Sequence, residues 1–234
     1  MIDITQYHVP APMLSRTYRL ALISDLHNCR WEKTADAIVC AQPDAVVIAG
    51  DLMENIDDGG DRALAFLREI TPQFPVFYGL GNHEKFLGES DFLKIRETGA
   101  ELLVNASAVF GELTIGAVGP ELRGNSGEIA DIHRSFLSAF EREDGYRILL
   151  CHRPEWFVRA VRDLDIPLVL SGHAHGGQIR LFGRPIFSPG QGLFPKYAQG
   201  MHEGRLIVSR GLGNHTIIPR FCNAPELCVI TIGA

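Results

Sequence analysis

The sequence lacks several features that would assign it to a specialised class of protein. It has no run of about 18 apolar residues, so a transmembrane helix is not predicted. No basic stretch followed by an apolar one opens the chain, and we expect no signal peptide. Five cysteines and no Cys-x-x-Cys pair argue against a disulfide framework or a thiolate zinc site. This cysteine usage is typical of a reducing compartment, which predicts a cytoplasmic protein.

The chain also has no excess of basic residues. Its formal net charge is −6, so bulk electrostatics do not favour binding to a nucleic-acid backbone. Apolar residues make up 46% and charged residues 21% of the chain, as in ordinary soluble domains. The length of 234 residues suits one large α/β unit, and no linker or repeat interrupts it. We therefore predict a single domain over residues 1–234.

Five apolar runs are each followed by an aspartate, an asparagine or a histidine. Short continuous apolar runs predict buried parallel strands. In open α/β sheets the ligand site lies beyond the carboxyl ends of the strands, so these polar residues should share one crevice. Turn and cap chemistry would explain one or two such cases but not five. The runs and the polar residues after them are Tyr18–Ser24 with Asp25 and His27, Ala45–Ala49 with Asp51, Pro75–Leu80 with Asn82, His83 and Glu84, Ile148–Cys151 with His152, and Ile166–Leu170 with His173 and His175.

Strand-like and helix-like segments alternate over the first 170 residues, and the last 60 are mostly strand-like. This order predicts an α/β fold, a four-layer α/β/β/α sandwich of two mixed sheets flanked by helices. A further strand is expected over Gln178–Leu181. The predicted helices are Trp31–Ala41, Arg62–Ile70, Ser90–Thr98 with Ser90 or Asp91 as its cap, Ile132–Arg142 and Pro154–Val161.

The polar motifs, in their order, resemble those of the calcineurin-like metallophosphoesterase superfamily. The tail that begins at Gly176-Gly177-Gln178 also resembles a bacterial subgroup with membrane-linked members, which includes a UDP-2,3-diacylglucosamine pyrophosphatase. The motifs are Asp25-x-His27, Gly50-Asp51, Gly81-Asn82-His83-Glu84, His152 and Gly172-His173-x-His175.

The resemblance implies a phosphoester hydrolase with two divalent transition-metal ions. Oxygen and nitrogen donors without sulfur suit Mn, Fe, Zn, Co or Ni, and Mn is favoured. The implied reaction is in-line attack of a metal-bridging hydroxide on the phosphorus of a phosphodiester or pyrophosphate. The metal ligands would be Asp25, His27 and His175 for one ion, Asn82, His152 and His173 for the other, and Asp51 as the bridge between them.

Other residues near these motifs are candidates for catalysis or substrate binding. By the resemblance, His83 would contact the phosphate and protonate the leaving oxygen, and Glu84 would orient His83. Asn28, Arg210 and His215 are predicted to bind substrate, although Asn28 is equally explained as a turn residue. Four further residues carry weaker signals: Arg153, an arginine that the subgroup pattern does not predict, and His8, His133 and His202, which we expect at the surface.

The segment Leu181–Tyr197 has no periodicity and several large apolar residues. It could form a small apolar cluster packed under a loop, or a patch beside the site that contacts a lipid surface or a partner. The second interpretation predicts a protein peripheral to the inner face of the membrane. The substrate would be a phosphorylated small molecule or a lipid-linked phosphate.

Three alternative functions stay open at this point. A nuclease or a cyclic-nucleotide phosphodiesterase would use the same motifs, but the acidic balance of the chain disfavours nucleic acid as a partner. A non-catalytic scaffold on the same fold belongs to another class. It is disfavoured because every predicted ligand position is occupied by a suitable residue.

Overall fold

A computed structural model describes residues 2–54, 61–120, 129–188, 191–214 and 219–234. Within these ranges the helices are α1 (Glu32–Ala41), α2 (Asp61–Ile70), α3 (Glu89–Glu97), α4 (Asp131–Phe140) and α5 (Pro154–Trp156), the last continued by a π-helical turn over Phe157–Val161. Short 3₁₀ turns cover His83–Phe86 and His175–Gly177. The strands are β1 (Asp3–Pro10), β2 (Tyr18–Ile23), β3 (Ala45–Ala49), β4 (Val76–Gly79), β5 (Glu101–Leu103), β6 (Ala106–Phe110), β7 (Leu113–Ala117), β8 (Tyr146–Leu150), β9 (Leu168–Ser171), β10 (Arg180–Leu181), β11 (Arg184–Pro185), β12 (Phe187–Ser188), β13 (Gly192–Leu193), β14 (Gly200–His202), β15 (Leu206–Val208) and β16 (Glu226–Gly233).

Most strands belong to two mixed six-stranded sheets. The first sheet has the order β1-β16-β2-β3-β4-β5, in which only the β16–β2 pair is antiparallel. The second has the order β14-β15-β9-β8-β7-β6, with antiparallel pairs at its two edges. In each sheet, central parallel strands therefore end at the same edge. The hairpins β10–β11 and β12–β13 lie outside both sheets.

Three apolar clusters define the layers of the fold. Between the sheets, side chains such as Val47 of the first sheet and Ile148 of the second pack into one core. Helices α1, α2 and α3 cover the outer face of the first sheet, where Phe66 is fully buried. Helices α4 and α5 cover the second sheet through Phe140 and Trp156. The predicted four-layer α/β/β/α sandwich is confirmed.

Several local predictions need correction. Strand β6 was not predicted, and the strand expected over Gln178–Leu181 is only the two residues of β10. Helix α3 begins after Gly88, whose backbone N–H donates to the Asp91 carboxylate, so neither Ser90 nor Asp91 is its N-cap. His133, expected at the surface, is buried on α4. Among the described residues no helix is both long enough and apolar enough to cross a membrane.

Candidate metal centre

The predicted ligand residues meet where the parallel strands of both sheets end. Strands β2, β3 and β4 lead into Asp25, Asp51 and Asn82, and strands β8 and β9 lead into the three histidines His152, His173 and His175. The two sheets are joined at this edge, because the backbone N–H of His173 donates to both Asp25 carboxylate oxygens at 3.0 and 3.1 Å. The sequence argument for one shared crevice is therefore matched by the geometry.

One group of donor atoms comprises Asp25, His27 and His175, all buried. The Nε2 atoms of His27 and His175 are 3.3 Å apart, and their rings are stacked. The Asp25 carboxylate lies 3.6 Å from His175 Nε2 and 4.0 Å from His27 Nε2. Two imidazole nitrogens and one carboxylate oxygen thus point at a common volume.

A second group comprises Asp51, His152 and His173. His152 Nδ1 donates to the Ala49 carbonyl oxygen at 2.7 Å, which turns Nε2 towards the rim. That Nε2 lies 3.0 Å from Asp51 Oδ2 and 3.2 Å from Asn82 Oδ1. Asp51 Oδ2 is also 4.0 Å from His27 Nε2, so Asp51 lies close to both groups, and its role as a bridge stays a prediction.

The electrostatics of the rim favour neutral imidazoles for most of the histidines. Burial lowers the pKa of His27 to about 3, and it also lowers the pKa values of His173 and His175. Burial acts in the same direction on His152, but the adjacent Asp51 carboxylate outweighs it and raises the pKa of His152 to about 9. The positive charge on His152 in turn lowers the pKa of Asp51, against the effect of burial.

The backbone around the rim repeatedly adopts the left-handed conformation that residues other than glycine rarely use. The affected residues and their φ angles are Asp25 (53°), His27 (50°), Asn28 (52°), Asp51 (51°), His173 (65°) and His175 (47°). Left-handed residues turn the chain sharply at the strand ends, so that side chains from successive positions face the same volume. Clustering of such residues is a common property of functional sites.

Two glycines in the motifs allow the close approach of the ligand loops. A Cβ atom on Gly81 would overlap Asp51 Oδ1, and one on Gly172 would lie 2.5 Å from Asp25 Oδ2. Both added Cβ atoms would meet the buried carboxylate of a predicted ligand, which cannot move aside without leaving the rim. The glycines before Asn82 and His173 are therefore required by the positions of Asp51 and Asp25.

The contacts of Glu84 differ from the predicted one with His83. It is fully buried, and its carboxylate accepts hydrogen bonds from the backbone N–H groups of Asp51, Leu52, Met53 and Gly81 and from the hydroxyl of Tyr78. Burial and the Asp51 charge raise the pKa of Glu84 to about 7, against the effect of these hydrogen bonds. Glu84 thus holds together the two loops that carry Asp51 and Asn82, instead of orienting His83.

His83 lies at the mouth of the rim, with 22% of its side chain exposed. Its backbone N–H donates to Asp51 Oδ1 at 2.9 Å, and its Nε2 is 3.9 Å from Asp51 Oδ2. Its ring packs edge-on against His27. Together with His27 and Glu54 it forms a third group of potential donor atoms. Glu54 was missed in the sequence, because it follows Asp51 in a polar loop without a recognisable pattern.

The three predicted substrate-binding residues differ in their position relative to the rim. Asn28 is buried at the rim, and in the described part of the chain neither its Oδ1 nor its Nδ2 has a hydrogen-bond partner. The Arg210 guanidinium is 3.1 Å from Asp3 and 3.2 Å from Glu226, so it is engaged by two carboxylates instead of facing the rim. His215 lies outside the described residues.

Two arginines contact the ligand histidines instead. Arg153 Nη1 donates to His173 Nε2 at 3.0 Å. Arg220 Nη2 lies 3.3 Å from His175 Nδ1, and burial lowers the pKa of Arg220 to about 10. Arg220 lies in the tail of the chain that resembles the subgroup, but nothing in the sequence alone placed it at the rim. Both arginines add positive charge beside the donor groups.

The donor set fits divalent transition-metal ions. Carboxylate oxygens, one amide oxygen and imidazole nitrogens converge without any thiolate, which is the ligand chemistry of Mn, Fe, Zn, Co and Ni. Three of the four histidines are held neutral by burial, and a neutral imidazole is the form that binds a metal. Asp51, a member of the second donor group, also lies 4.0 Å from His27 of the first. The individual ligand assignments stay predictions.

Comparison with known proteins identifies relatives over most of the chain. Residues 18–177 match the family profile described as calcineurin-like phosphoesterase. The chain is 26% identical to the metallophosphoesterase YkuE of Bacillus subtilis over 99% of its own length and 86% of that protein. It is 28% identical to a metallophosphoesterase of Campylobacter jejuni over 76% of its own length, but it spans only about half (49%) of that protein.

A relative with a named activity covers a shorter stretch. The UDP-2,3-diacylglucosamine pyrophosphatase LpxG of Chlamydia trachomatis is 35% identical over 58% of this chain and 42% of that protein. Among solved structures, TT1561 of Thermus thermophilus superposes with a TM-score of 0.52 at 15% identity, covering 67% of this chain and 82% of that one, which supports the fold. The profile match extends over more than half of the chain and includes every motif at the rim. The chain therefore belongs to the calcineurin-like phosphoesterase family.

Proposed function

We propose that this protein hydrolyses phosphodiester or pyrophosphate bonds with two divalent transition-metal ions, of which Mn is favoured. The observation that supports this most directly is the meeting of two buried donor groups from both sheets around Asp51. A structural role would not require so many buried metal-ligating side chains to face one another. In this proposal Asp25, His27 and His175 hold one ion, while Asn82, His152 and His173 hold the other.

The ions and the protein divide the chemistry between them. When bound, two divalent cations would supply Lewis-acid chemistry, which lowers the pKa of a water and polarises phosphoryl oxygens. The proposed ligands include two carboxylates, Asp25 and Asp51, which offset two of the four positive charges of the ions, so the loaded rim would keep a positive charge that attracts a phosphate. Arg153 and Arg220, which contact His173 and His175, add to that charge.

His83 is the residue best placed to move a proton. It is partly exposed at the mouth of the rim, where a leaving oxygen must depart, while its backbone N–H is fixed on Asp51. A positioned imidazolium can donate a proton to that oxygen. The Asn28 amide, which has no hydrogen-bond partner among the described residues, offers a further donor to a bound phosphate.

For the substrate, we propose a phosphorylated small molecule or a lipid-linked phosphate. The first is supported by the net charge of −6, which disfavours a nucleic acid. The second is supported by the partial similarity to a protein named as a UDP-2,3-diacylglucosamine pyrophosphatase. A cytoplasmic location agrees with the use of five cysteines without disulfide pairing.

The proposal is tested by adding single metals to the stripped protein and screening three classes of substrate: aryl phosphodiesters, aryl phosphomonoesters and nucleotide-sugar lipids. We expect turnover of a diester or a pyrophosphate, highest with Mn. Asp51→Asn and His173→Ala should abolish turnover and lower the bound metal, whereas His8→Ala, at an exposed position of β1, should change neither. Near-full activity in either rim variant would contradict the proposed centre.

A further inference from the structure

Large apolar side chains are exposed on the two hairpins β10–β11 and β12–β13 and on the adjacent residue Phe221. We name this surface the hairpin patch. None of its members belongs to the three apolar clusters of the described core. The patch therefore does not form the small packed cluster that was one interpretation of the sequence. Its members and their exposed fractions are Phe182 (95%), Phe194 (75%), Leu193 (69%), Phe221 (56%) and Leu181 (51%).

Backbone hydrogen bonds bring the segments of the hairpin patch together. The N–H of Arg180 donates to the carbonyl of Phe221 at 3.0 Å, and the N–H of Ile186 donates to the carbonyl of Ile179 at 2.9 Å. The N–H of Phe194 then donates to the carbonyl of Ile186 at 2.8 Å. Three separate stretches of chain thus contribute apolar side chains to neighbouring positions, which scattered exposed residues would not do.

The charged residues within 180–197 are all basic, whereas the whole chain carries a net negative charge. Residues 180–197 contain Arg180, Arg184 and Lys196 and no aspartate or glutamate, although the chain as a whole carries −6. Arg184 and Lys196 are exposed beside the apolar side chains. Exposed aromatic residues accompanied by basic ones are typical of surfaces that bind anionic bilayers.

The hairpin patch borders the candidate metal centre. Ser188 Oγ of β12 donates to the Ala174 carbonyl, between the two histidines of the last motif, at 3.2 Å. A Cβ atom on Gly177 would overlap Pro185 of β11, so this turn packs directly against the hairpins. Arg220, which precedes Phe221 of the patch, contacts His175. A surface bound at the patch would therefore lie next to the rim.

We infer that the hairpin patch docks this protein on an anionic phospholipid surface. Phe182 and Phe194 enter the headgroup region, and Arg184 and Lys196 contact lipid phosphates. A second copy of the chain is a poorer occupant, because a symmetric contact would bring the same basic side chains of both copies together. The inference goes beyond the proposed hydrolysis and does not depend on it.

Flotation with vesicles tests the inference. The intact protein is mixed with vesicles of phosphatidylcholine, with or without phosphatidylglycerol, and we expect it to float with the anionic vesicles. Phe182→Ser/Phe194→Ser should weaken this binding by roughly a hundredfold, because two aromatic side chains no longer leave water. Arg184→Gln/Lys196→Gln should weaken it by roughly thirtyfold on anionic vesicles.

The matched control is Leu93→Ser/Val109→Ser, which removes two apolar side chains that are 57% and 76% exposed elsewhere. This control should float like the unchanged protein. The inference would be overturned if the intact protein floated with neither kind of vesicle. It would also be overturned if the control variant lost as much vesicle binding as Phe182→Ser/Phe194→Ser. A dimer in sedimentation velocity that the Phe182→Ser/Phe194→Ser variant loses without any vesicle binding would overturn it as well, since the patch would then bind a second copy. Flotation needs no turnover, so a failed hydrolase proposal would not affect this result.

Discussion

Replacing Glu84 by glutamine tests whether this residue holds the rim together. One carboxylate oxygen accepts from the N–H groups of Leu52 and Met53 and from the Tyr78 hydroxyl, and the other accepts from the N–H groups of Asp51 and Gly81. A glutamine NH₂ group cannot accept a hydrogen bond, so whichever oxygen it replaces, two buried backbone N–H groups lose their partner. At about 1–3 kcal/mol for each unpaired group, Glu84→Gln should lower the free energy of unfolding by roughly 2–6 kcal/mol.

Urea unfolding at pH 8 measures this effect. That pH is above the raised pKa of Glu84, which is about 7, so the unchanged protein has an ionised carboxylate. The unfolding midpoint should fall by about 0.7–3 M, since the slope for a chain of this size is roughly 2–3 kcal/mol per M. Glu69→Gln, on the exposed side of α2, is the matched control and should change the midpoint little. A Glu84→Gln variant of normal stability but lower kcat would refute this reasoning and restore the role of orienting His83.

Three further predictions concern the rim. His83→Ala should lower kcat by roughly 10²–10⁴ while bound metal, measured by mass spectrometry, stays normal; a parallel loss of metal would mean that His83 is a ligand. Gly81→Ala should remove both metal and turnover, because its methyl group would overlap the Asp51 carboxylate, whereas Gly88→Ala, with open space around the added Cβ, should be tolerated. Metal added at about 100 times its Kd should stabilise the stripped protein by roughly 2.7 kcal/mol in thermal unfolding, and Asp51→Asn should abolish that gain.

The sequence predicted the layers of the fold and the meeting of the rim residues because both depend on a repeated signal. Apolar runs such as that of β3 are buried on both faces, and their carboxyl ends are fixed by the parallel direction of the strands. Strand β6 escaped prediction because its residues are only partly buried, so no continuous apolar run marks it. The two-residue strands of the hairpins are too short for any periodicity.

Side-chain partners from distant segments could not be predicted in the same way. Glu84 follows His83 in the chain, which suggested a contact between them, but the hydrogen bonds to its carboxylate come largely from the loop after β3. Arg210 and Arg220 lie in the same glycine-bearing tail, and only the fold determines that Arg220 reaches a rim histidine while Arg210 pairs with Asp3 and Glu226. His133 is buried because its Nδ1 contacts Asn105 Oδ1 and its ring packs on Trp156. The position of His133 in its helix did not predict either contact.

The left-handed backbone at the rim has a consequence for how this protein can change over generations. Six non-glycine residues adopt that conformation, and each costs roughly 1 kcal/mol of conformational free energy. The summed cost is comparable with the net free energy of unfolding of an ordinary domain. Glycine would relieve that strain at every one of these positions, and it would also remove the side chain. Selection for heat resistance alone, without selection for turnover, should therefore enrich glycine at positions such as His27 and His175. The most thermostable variants would then lack catalytic activity.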